Sequence, residues 1–264
     1  MTAILRYHGG KVRLAPKIVA LMPAHDAYIE PYAGGAAVLL EKPRSRLEVY
    51  NDLDGDMVNL FQMLRDRRAD LAEAVALTPF AREEHELSYQ PTDDPLERAR
   101  RVLIRSHFGH GSSGIHRPTG FRAAGLRAGS LPVHGWANLP EAVTRTAERL
   151  RGVVIENRPA LQIIAAHDSP EALFYIDPPY LPDTRDRGRD YSHEMTEADH
   201  AELLTALRQV KARVILSGYA HPAYDAALHD WRRIEVKALA DRAGPRTEVL
   251  WLNYPDRLAI EGAA

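Results

Sequence analysis

Asp177-Pro178-Pro179-Tyr180 follows the apolar run Ala172-Leu173-Phe174-Tyr175-Ile176, and chemistry is most legible at that junction. The run reads as a buried strand. Two prolines cannot continue a hydrogen-bonded ladder, and they stiffen the backbone where it leaves the sheet. The turn therefore offers a fixed acceptor pair beside an aromatic ring, a set suited to an exocyclic amino group on a planar heterocycle. Four residues alone also fit a strand-terminating turn with a buried Tyr, so the rest of the chain has to decide.

A second constellation lies upstream. In Ala27-Tyr28-Ile29-Glu30-Pro31-Tyr32-Ala33-Gly34-Gly35-Ala36-Ala37-Val38-Leu39-Leu40 a short apolar run enters a small-residue turn, and further apolar residues then open a helix. Gly34 and Gly35 let backbone approach a ligand, and N–H groups at a helix start are available to polar atoms. Leu47-Glu48-Val49-Tyr50 then ends in Asn51-Asp52, which puts Asp52 at the tip of a second strand, where a carboxylate can bond ribose hydroxyls. The turn is not G-x-G-x-x-G, which speaks against a dinucleotide-dependent dehydrogenase. An ordinary strand-to-helix connection would share much of this pattern.

The order of these pieces is more specific than any one of them. Tyr7-His8-Gly9-Gly10-Lys11 comes first, Glu30-Pro31-Tyr32-Ala33-Gly34-Gly35 next and Asp177-Pro178-Pro179-Tyr180 late. With these motifs the chain resembles the Dam-like (D12 class) DNA N6-adenine methyltransferases over nearly its whole length. Met195-Thr196-Glu197-Ala198-Asp199-His200, Val214-Ile215-Leu216-Ser217-Gly218-Tyr219 and Arg246-Thr247-Glu248-Val249-Leu250-Trp251-Leu252-Asn253-Tyr254 extend the likeness. Related enzymes acting on cytosine tend to carry Ser or Thr in place of Asp177, and those acting on protein glutamine tend to carry Asn. Tyr7 replaces a frequent Trp, and Tyr32 with Ala36 softens the usual aromatic and triple-Gly pattern.

The resemblance implies S-adenosylmethionine as cofactor and double-stranded DNA as partner, with no membrane and no metal, and it leaves the oligomeric state open. It implies that the Asp177 carboxylate and the Pro178 carbonyl, held by Pro179, accept from the two N–H groups of adenine N6, and that Tyr180 stacks on a base taken out of the duplex. Such acceptors matter because the N6 lone pair is delocalised into the ring, while positioning against an activated methyl group does most of the remaining work. For the cofactor it implies contacts from Tyr7, Lys11, Glu30, Pro31 and Asp177, from backbone at Gly34 and Gly35, and from Asp52 on the ribose, with Asn157 and Arg158 flanking the adenine. Methylation of another amino group, such as cytosine N4 or an RNA base, is the alternative of the same class. A non-catalytic DNA-binding protein of the same fold is the alternative of another class, and an intact Asp177, Pro178 and Tyr180 argue against it.

Charge distribution agrees with a DNA partner better than net charge does. The formal net charge is −2, yet Arg98, Arg100, Arg101, Arg105, Arg117, Arg122 and Arg127 lie in 98–135 with no Asp or Glu among them. Around Phe108–Arg122 turn formers, hydroxyls, aromatics and Arg interleave, as phosphate positioning and base-edge reading require. Arg105, His110, Arg117 and Arg122 are the expected DNA contacts. Arg6 is a further one, because the family can carry a basic residue there that reads DNA. The histidines of this stretch have no Cys partners and no fixed ligand spacing, so a zinc site is not expected. Arg185, Arg187 and Arg189 alternate with Asp183, Asp186 and Asp190, the pattern of a solvated loop. Asp199, three residues after Thr196, reads as a helix cap rather than an acid-base group. Trp136, Trp231 and Trp251 read as packing residues.

The elements that must position these groups alternate. Strands are predicted at Ala27–Glu30, Leu47–Tyr50, Val153–Glu156, Leu173–Ile176, Arg213–Ser217, Ile234–Val236 and Val249–Asn253, and helices near Arg13–Met22, Asp54–Arg65, Leu139–Leu150, Gln162–Ala166 and Glu197–Lys211. The alternation predicts an α/β fold with a mostly parallel sheet. By resemblance this is a Rossmann-like methyltransferase sheet with an antiparallel edge hairpin: a catalytic domain of 1–65 and 151–264, and a helical and loop-rich target-recognition insertion at 66–150. A chain of 264 residues can bury such a core. The absence of Cys excludes disulfides, thiol catalysis and Cys-ligated zinc. No signal-peptide pattern or membrane-length apolar run is evident, so a cytoplasmic, nucleoid-associated protein is expected, and a phage or prophage source is compatible with that.

Overall fold

Strand and helix alternate from the first turn onward, and the sheet that results explains why the motifs meet. The structure is a computed structural model and describes residues 4–7, 9–111, 113–123, 131–184, 192–239 and 245–255. His8, Arg127, Arg185, Arg187 and Arg189 lie outside the described residues. The strands are β1 (Ala27–Glu30), β2 (Leu47–Asn51), β3 (Val153–Glu156), β4 (Ala172–Ile176), β5 (Arg213–Tyr219), β6 (Arg232–Leu239) and β7 (Pro245–Leu252). They form one seven-stranded sheet in the order β3-β2-β1-β4-β5-β7-β6. The first five are parallel, and β7 runs antiparallel between β5 and β6. All seven predicted strands are present, and the late pair without a long helix between its members is the edge hairpin.

β4 is buried at every position, as its unbroken apolar run requires of a central parallel strand. It pairs with β1, whose helical connection leads away to β2 on the other side. Strand order therefore reverses between β1 and β4. In an open α/β sheet the crevice beyond the carboxyl ends at such a reversal is where ligands bind. Glu30-Pro31 and Asp177-Pro178 are those carboxyl ends.

The helices are α1 (Ala15–Leu21), α2 (Ala37–Glu41), α3 (Gly55–Asp66), α4 (Arg68–Leu77), α5 (Arg82–Leu87), α6 (Pro95–Phe108), α7 (Pro132–Ala137), α8 (Leu139–Arg149), α9 (Ala160–His167), α10 (Glu197–Leu207) and α11 (Pro222–Ala227). α4 to α8 are the helical stretch between α3 and β3. Their apolar faces join those of the sheet and α3: Tyr28, Tyr50, Phe61, Leu64, Val102, Leu103 and Val143 belong to one buried cluster. A buried ion cluster adds to this seam. Arg149 of α8 donates to both oxygens of Glu48 on β2 at 2.6 and 2.8 Å, and Lys42 Nζ reaches Glu48 Oε1 at 2.8 Å. Buried charges persist only when paired in this way. The helical stretch is thus fastened to the sheet across its own last helix. Among the described residues, no helix is long and apolar enough to cross a membrane.

Several local expectations are met. Thr196 and Asp199 form a reciprocal capping box at the start of α10. Trp136 and Trp251 are buried, and Trp231 packs against the second apolar cluster.

Candidate active site

The crevice at the strand reversal is a cavity of about 380 Å³. It is bordered by Tyr7 and Lys11, by Glu30 to Val38, by Asp52 to Asp54, and by Asp177 and Pro179. One side of it is built on the glycine turn. Gly34 has a φ of +47°, and a Cβ there would stand 2.6 Å from Cε1 of Tyr7, so only glycine admits both the turn and the ring. Ala36 takes a left-handed φ of 53° at the entrance to α2, a conformation that costs a non-glycine residue about 1–2 kcal/mol. Asp52 holds the turn in place, accepting from Gly34 N at 2.7 Å and from Asp54 N at 2.8 Å. Burial pushes its carboxyl up to about 6.

Asn51 sits beside it and stitches the strand ends together. Its amide donates to the carbonyls of Pro31 at 2.8 Å and Arg158 at 2.9 Å, and its oxygen accepts from Arg158 N at 2.9 Å. Asn157 is placed differently from the expectation. It is exposed, donates to the Asp52 carbonyl at 2.7 Å and does not border the cavity; Pro159, Ala160 and Leu161 do. The asparagine side chain is engaged in holding the loop, so the residues after it form the wall.

Glu30 is 2 % exposed and accepts from the Tyr28 hydroxyl at 2.6 Å. Burial pushes its carboxyl up to about 8. The folded protein therefore holds a proton there that an unfolded chain releases near the ordinary carboxylate range, so stability falls as pH rises from about that range to about 8. Glu30→Gln mimics the protonated form. Its urea midpoint should decline less between pH 5 and pH 8 than that of the wild type, by an amount on the order of 1 kcal/mol per pH unit. Equal declines would mean that Glu30 is ionised throughout.

On the other side of the cavity, Asp177 and Tyr180 belong to a buried network. Asp177 Oδ1 is 2.9 Å from Lys11 Nζ and 3.0 Å from the Tyr180 hydroxyl, which leaves Oδ2 for a ligand. The same hydroxyl lies 2.6 Å from Glu248 Oε2 and 3.3 Å from Ser217 Oγ. Lys11 Nζ also sits 4.9 Å from the centre of the Tyr180 ring, and Tyr219 meets that ring edge-on. Burial raises the Asp177 carboxyl, and Lys11 opposes the rise. Pro179 borders the cavity, whereas Pro178 and Tyr180 lie behind it, Tyr180 at 6 % exposure.

A third cluster closes the rim. Ser192 donates to Asp54 Oδ2 at 2.8 Å and lies 2.8 Å from His116 Nδ1, with the His116 ring edge-on to Tyr7. This joins the helical stretch, the end of β2 and the segment after the catalytic turn. His116 and Ser192 border the cavity, and the strand-and-turn pattern gave no hint of either. Among the described residues, no group of His, Asp or Glu is arranged to hold a metal ion.

Of the expected DNA contacts, His110, Arg117 and Arg122 lie on the loop after α6, Arg6 neighbours Arg122, and Arg105 is paired within the fold. Arg105 pairs with Asp56 Oδ2 at 2.7 Å while Arg98 takes Oδ1, so its charge is spent inside the fold. Arg100 and Arg101 are likewise held by Glu84 and Glu97. Four of the arginines that make 98–135 look basic therefore lie on α6 and meet acids from outside that stretch. The loop after α6 is different. His110 and Arg117 are exposed, and a bridge between Gly109 and Phe121 folds the loop back on itself. Arg122 is half-buried, and burial and then the neighbouring Arg6 lower its pKa. One guanidinium nitrogen of Arg6 is buried with no partner. Two neighbouring cations favour an anion.

A family model described as D12 class N6 adenine-specific DNA methyltransferase matches residues 7–99 and 136–241. The match is interrupted over the loop that carries His110, Arg117 and Arg122. The type II methyltransferase M1.LlaDCHI of Lactococcus lactis subsp. cremoris is 24% identical over 281 aligned positions, covering 94% of each chain. The DNA adenine methylase of Escherichia coli (strain K12) is 28% identical over 116 positions, covering 41% of each chain. A model match across most of the length, on a sheet whose reversal brings the glycine turn and the Asp177 turn to one cavity, makes this chain a member of the D12 class N6 adenine-specific DNA methyltransferase family.

Proposed function

We propose that the chain transfers the methyl group of S-adenosylmethionine to N6 of an adenine extruded from double-stranded DNA, with Asp177 as the acceptor that orients N6. The observation that carries this reading is a single cavity bordered by both Asp177 and the Gly34–Asp52 turn, so a cofactor and a base can meet there. The residues fit a cationic cofactor. Asp52, Asp54, Asp177, Asp199 and Glu202 border the cavity against Lys11, a balance that favours a sulfonium. Gly34 and Gly35 admit close approach, and Asp52 stands ready for ribose hydroxyls. Bound S-adenosylmethionine supplies a methyl group that is already activated. What remains for the protein is to align N6, withdraw its protons and exclude water. Asp177 Oδ2 serves as an acceptor, and Tyr180 supports Asp177 from behind the cavity wall. Incubation with labelled cofactor and duplex DNA, followed by nucleoside analysis, tests the assignment; label in N4-methylcytosine or in RNA alone would replace it.

Asp52→Ala should weaken cofactor binding by about 1.5–3 kcal/mol, the size of a charge-assisted hydrogen bond, and leave DNA binding without cofactor close to wild type. Wild-type affinity in calorimetry would remove Asp52 from the site. Its carboxyl accepts more strongly when ionised, so affinity in the wild type should also fall as pH drops below about 6.

In this reading residues 1–65 and 151–264 carry the chemistry and 66–150 reads the target. Arg6 and Arg122 contact phosphate, with His110 and Arg117 beside them on the loop. Arg122→Ala should lower the slope of log K against log salt by about 1. An unchanged slope with relaxed sequence preference would move Arg122 from phosphate to base. Acting on cellular DNA places the protein in the cytoplasm.

A further inference from the structure

Glu248 is a buried carboxylate that neither the cofactor side nor the DNA side accounts for. It is 7 % exposed, lies on β7 opposite Tyr219 of β5, and does not border the cavity. Lys11 at 3.9 Å, Tyr180 at 2.6 Å and Ser217 at 3.4 Å face it, with Asp177, Tyr175 and Tyr219 close enough to feel its charge, while β6 sets the apolar Val236 opposite it. Two carboxylates, Asp177 and Glu248, therefore share one lysine in a buried site. Such an excess of negative charge is costly, and a neutral side chain at 248 would avoid it.

The hydrogens show what the arrangement suits. A phenol has one proton to give, and the Tyr180 hydroxyl has two carboxylate oxygens within reach. The shorter contact, to Glu248, takes the donor. Asp177 Oδ1 and the Tyr180 oxygen then face each other at 3.0 Å as two acceptors, a contact that becomes a hydrogen bond only when Asp177 carries a proton. The network is thus complete in the state that follows proton transfer to Asp177. Burial pushes the Tyr180 phenol far above its ordinary range, so it passes a proton on without standing ionised.

We propose that Glu248 is a positioning residue that receives, through the Tyr180 hydroxyl, the proton that adenine N6 sheds on methylation. The inference rests on the assignment of Asp177 to N6. When the N6–CH3 bond forms and the methyl–sulfur bond breaks, N6 is left with a positive charge and one proton too many. That proton passes to Asp177 Oδ2, the carboxyl turns about its Cβ–Cγ bond so that the protonated oxygen faces Tyr180 and donates to the Tyr180 oxygen, and the Tyr180 proton moves to Glu248 Oε2. Asp177 is again a carboxylate, Tyr180 is again a neutral phenol, and the charge of Glu248 has gone from −1 to 0. No other reactant is needed. The Glu248 side chain, 9 % exposed, then returns the proton to water.

Two measurements test this. In single-turnover methylation assays across pH, Glu248→Gln should slow transfer about 10²-fold, the lower end of what positioned proton transfer contributes, with unchanged KM for DNA and cofactor. Glu248→Asp should recover part of the rate. Tyr180→Phe keeps the ring but removes the relay, and combined with Glu248→Gln it should add little, because members of one relay act as a unit. The second readout needs no turnover: by 13C NMR of the carboxyl groups, the pH response of Asp177 should differ between the wild type and Tyr180→Phe. A wild-type rate in Glu248→Gln, or an Asp177 pH response that Tyr180→Phe leaves unchanged, would overturn the relay. If the wild-type protein itself fails to methylate adenine, the wider assignment falls instead.

Discussion

Asp177→Asn should reduce methyl transfer to adenine by about 10²–10³-fold while cofactor and DNA bind nearly as before. The substitution keeps the shape of the turn and can keep a contact with the Tyr180 hydroxyl, 3.0 Å away. What it removes is negative charge at the one place where positive charge develops. Interactions that strengthen only on the way to the transition state show in the rate and hardly in binding. An amide at 177 also risks presenting a donor to N6, which already carries two. Single-turnover transfer of a labelled methyl group gives the rate, and calorimetry gives the two affinities. A wild-type rate would end the assignment, because the other buried carboxylate of the network, Glu248, does not border the cavity.

The parts of this site that the sequence made legible are the ones with a local cause. The prolines of Asp177-Pro178-Pro179-Tyr180 can only end a strand, and the run before them can only be buried, so the position of Asp177 at a strand tip followed directly. Gly34 was equally legible: its φ of +47° and the Tyr7 ring against it leave room for no other residue. The seven strands were found for the same reason, because each is a short apolar run bounded by turn formers. Long-range pairing escaped. Nothing in the spacing of Arg98, Arg100, Arg101 and Arg105 says that Asp56 and Glu84 lie across from them, so a helix with an apolar face at Ala99, Val102 and Leu103 read as a basic patch. His116 with Ser192, and Glu248 with Tyr180, are joined across 76 and 68 residues of sequence, and only the fold brings them together. Asn157 bonds the carbonyl of Asp52, far from it in sequence, a partner that no local pattern announces.

Lys11 separates two explanations of the N-terminal motif. The resemblance assigned it to the cofactor, yet its ammonium is buried 2.9 Å from Asp177, 3.9 Å from Glu248 and 3.0 Å from the Gly9 carbonyl. If it is the counter-ion of Asp177, Lys11→Met leaves two buried carboxylates without a cation, and breaking such a pair costs about 3–5 kcal/mol of stability. The pH dependence then carries the test. Burial already raises the Asp177 carboxyl and Lys11 pulls it down, so without the lysine it rises further. A protonated Asp177 cannot take up the N6 proton, and methyl transfer in Lys11→Met should be lost near neutral pH and return as pH increases. Stability should move the opposite way. A carboxyl raised in the folded state favours folding at low pH, and that advantage is lost as pH climbs from the ordinary carboxylate range to the raised value. Lys11→Met should therefore be most stable where it is least active, as followed by urea midpoints and initial rates in the same buffers. Adding Asp177→Asn should restore much of the stability, since one of the unpaired charges is gone, and none of the activity. A wild-type pH profile in Lys11→Met would return the lysine to the cofactor alone.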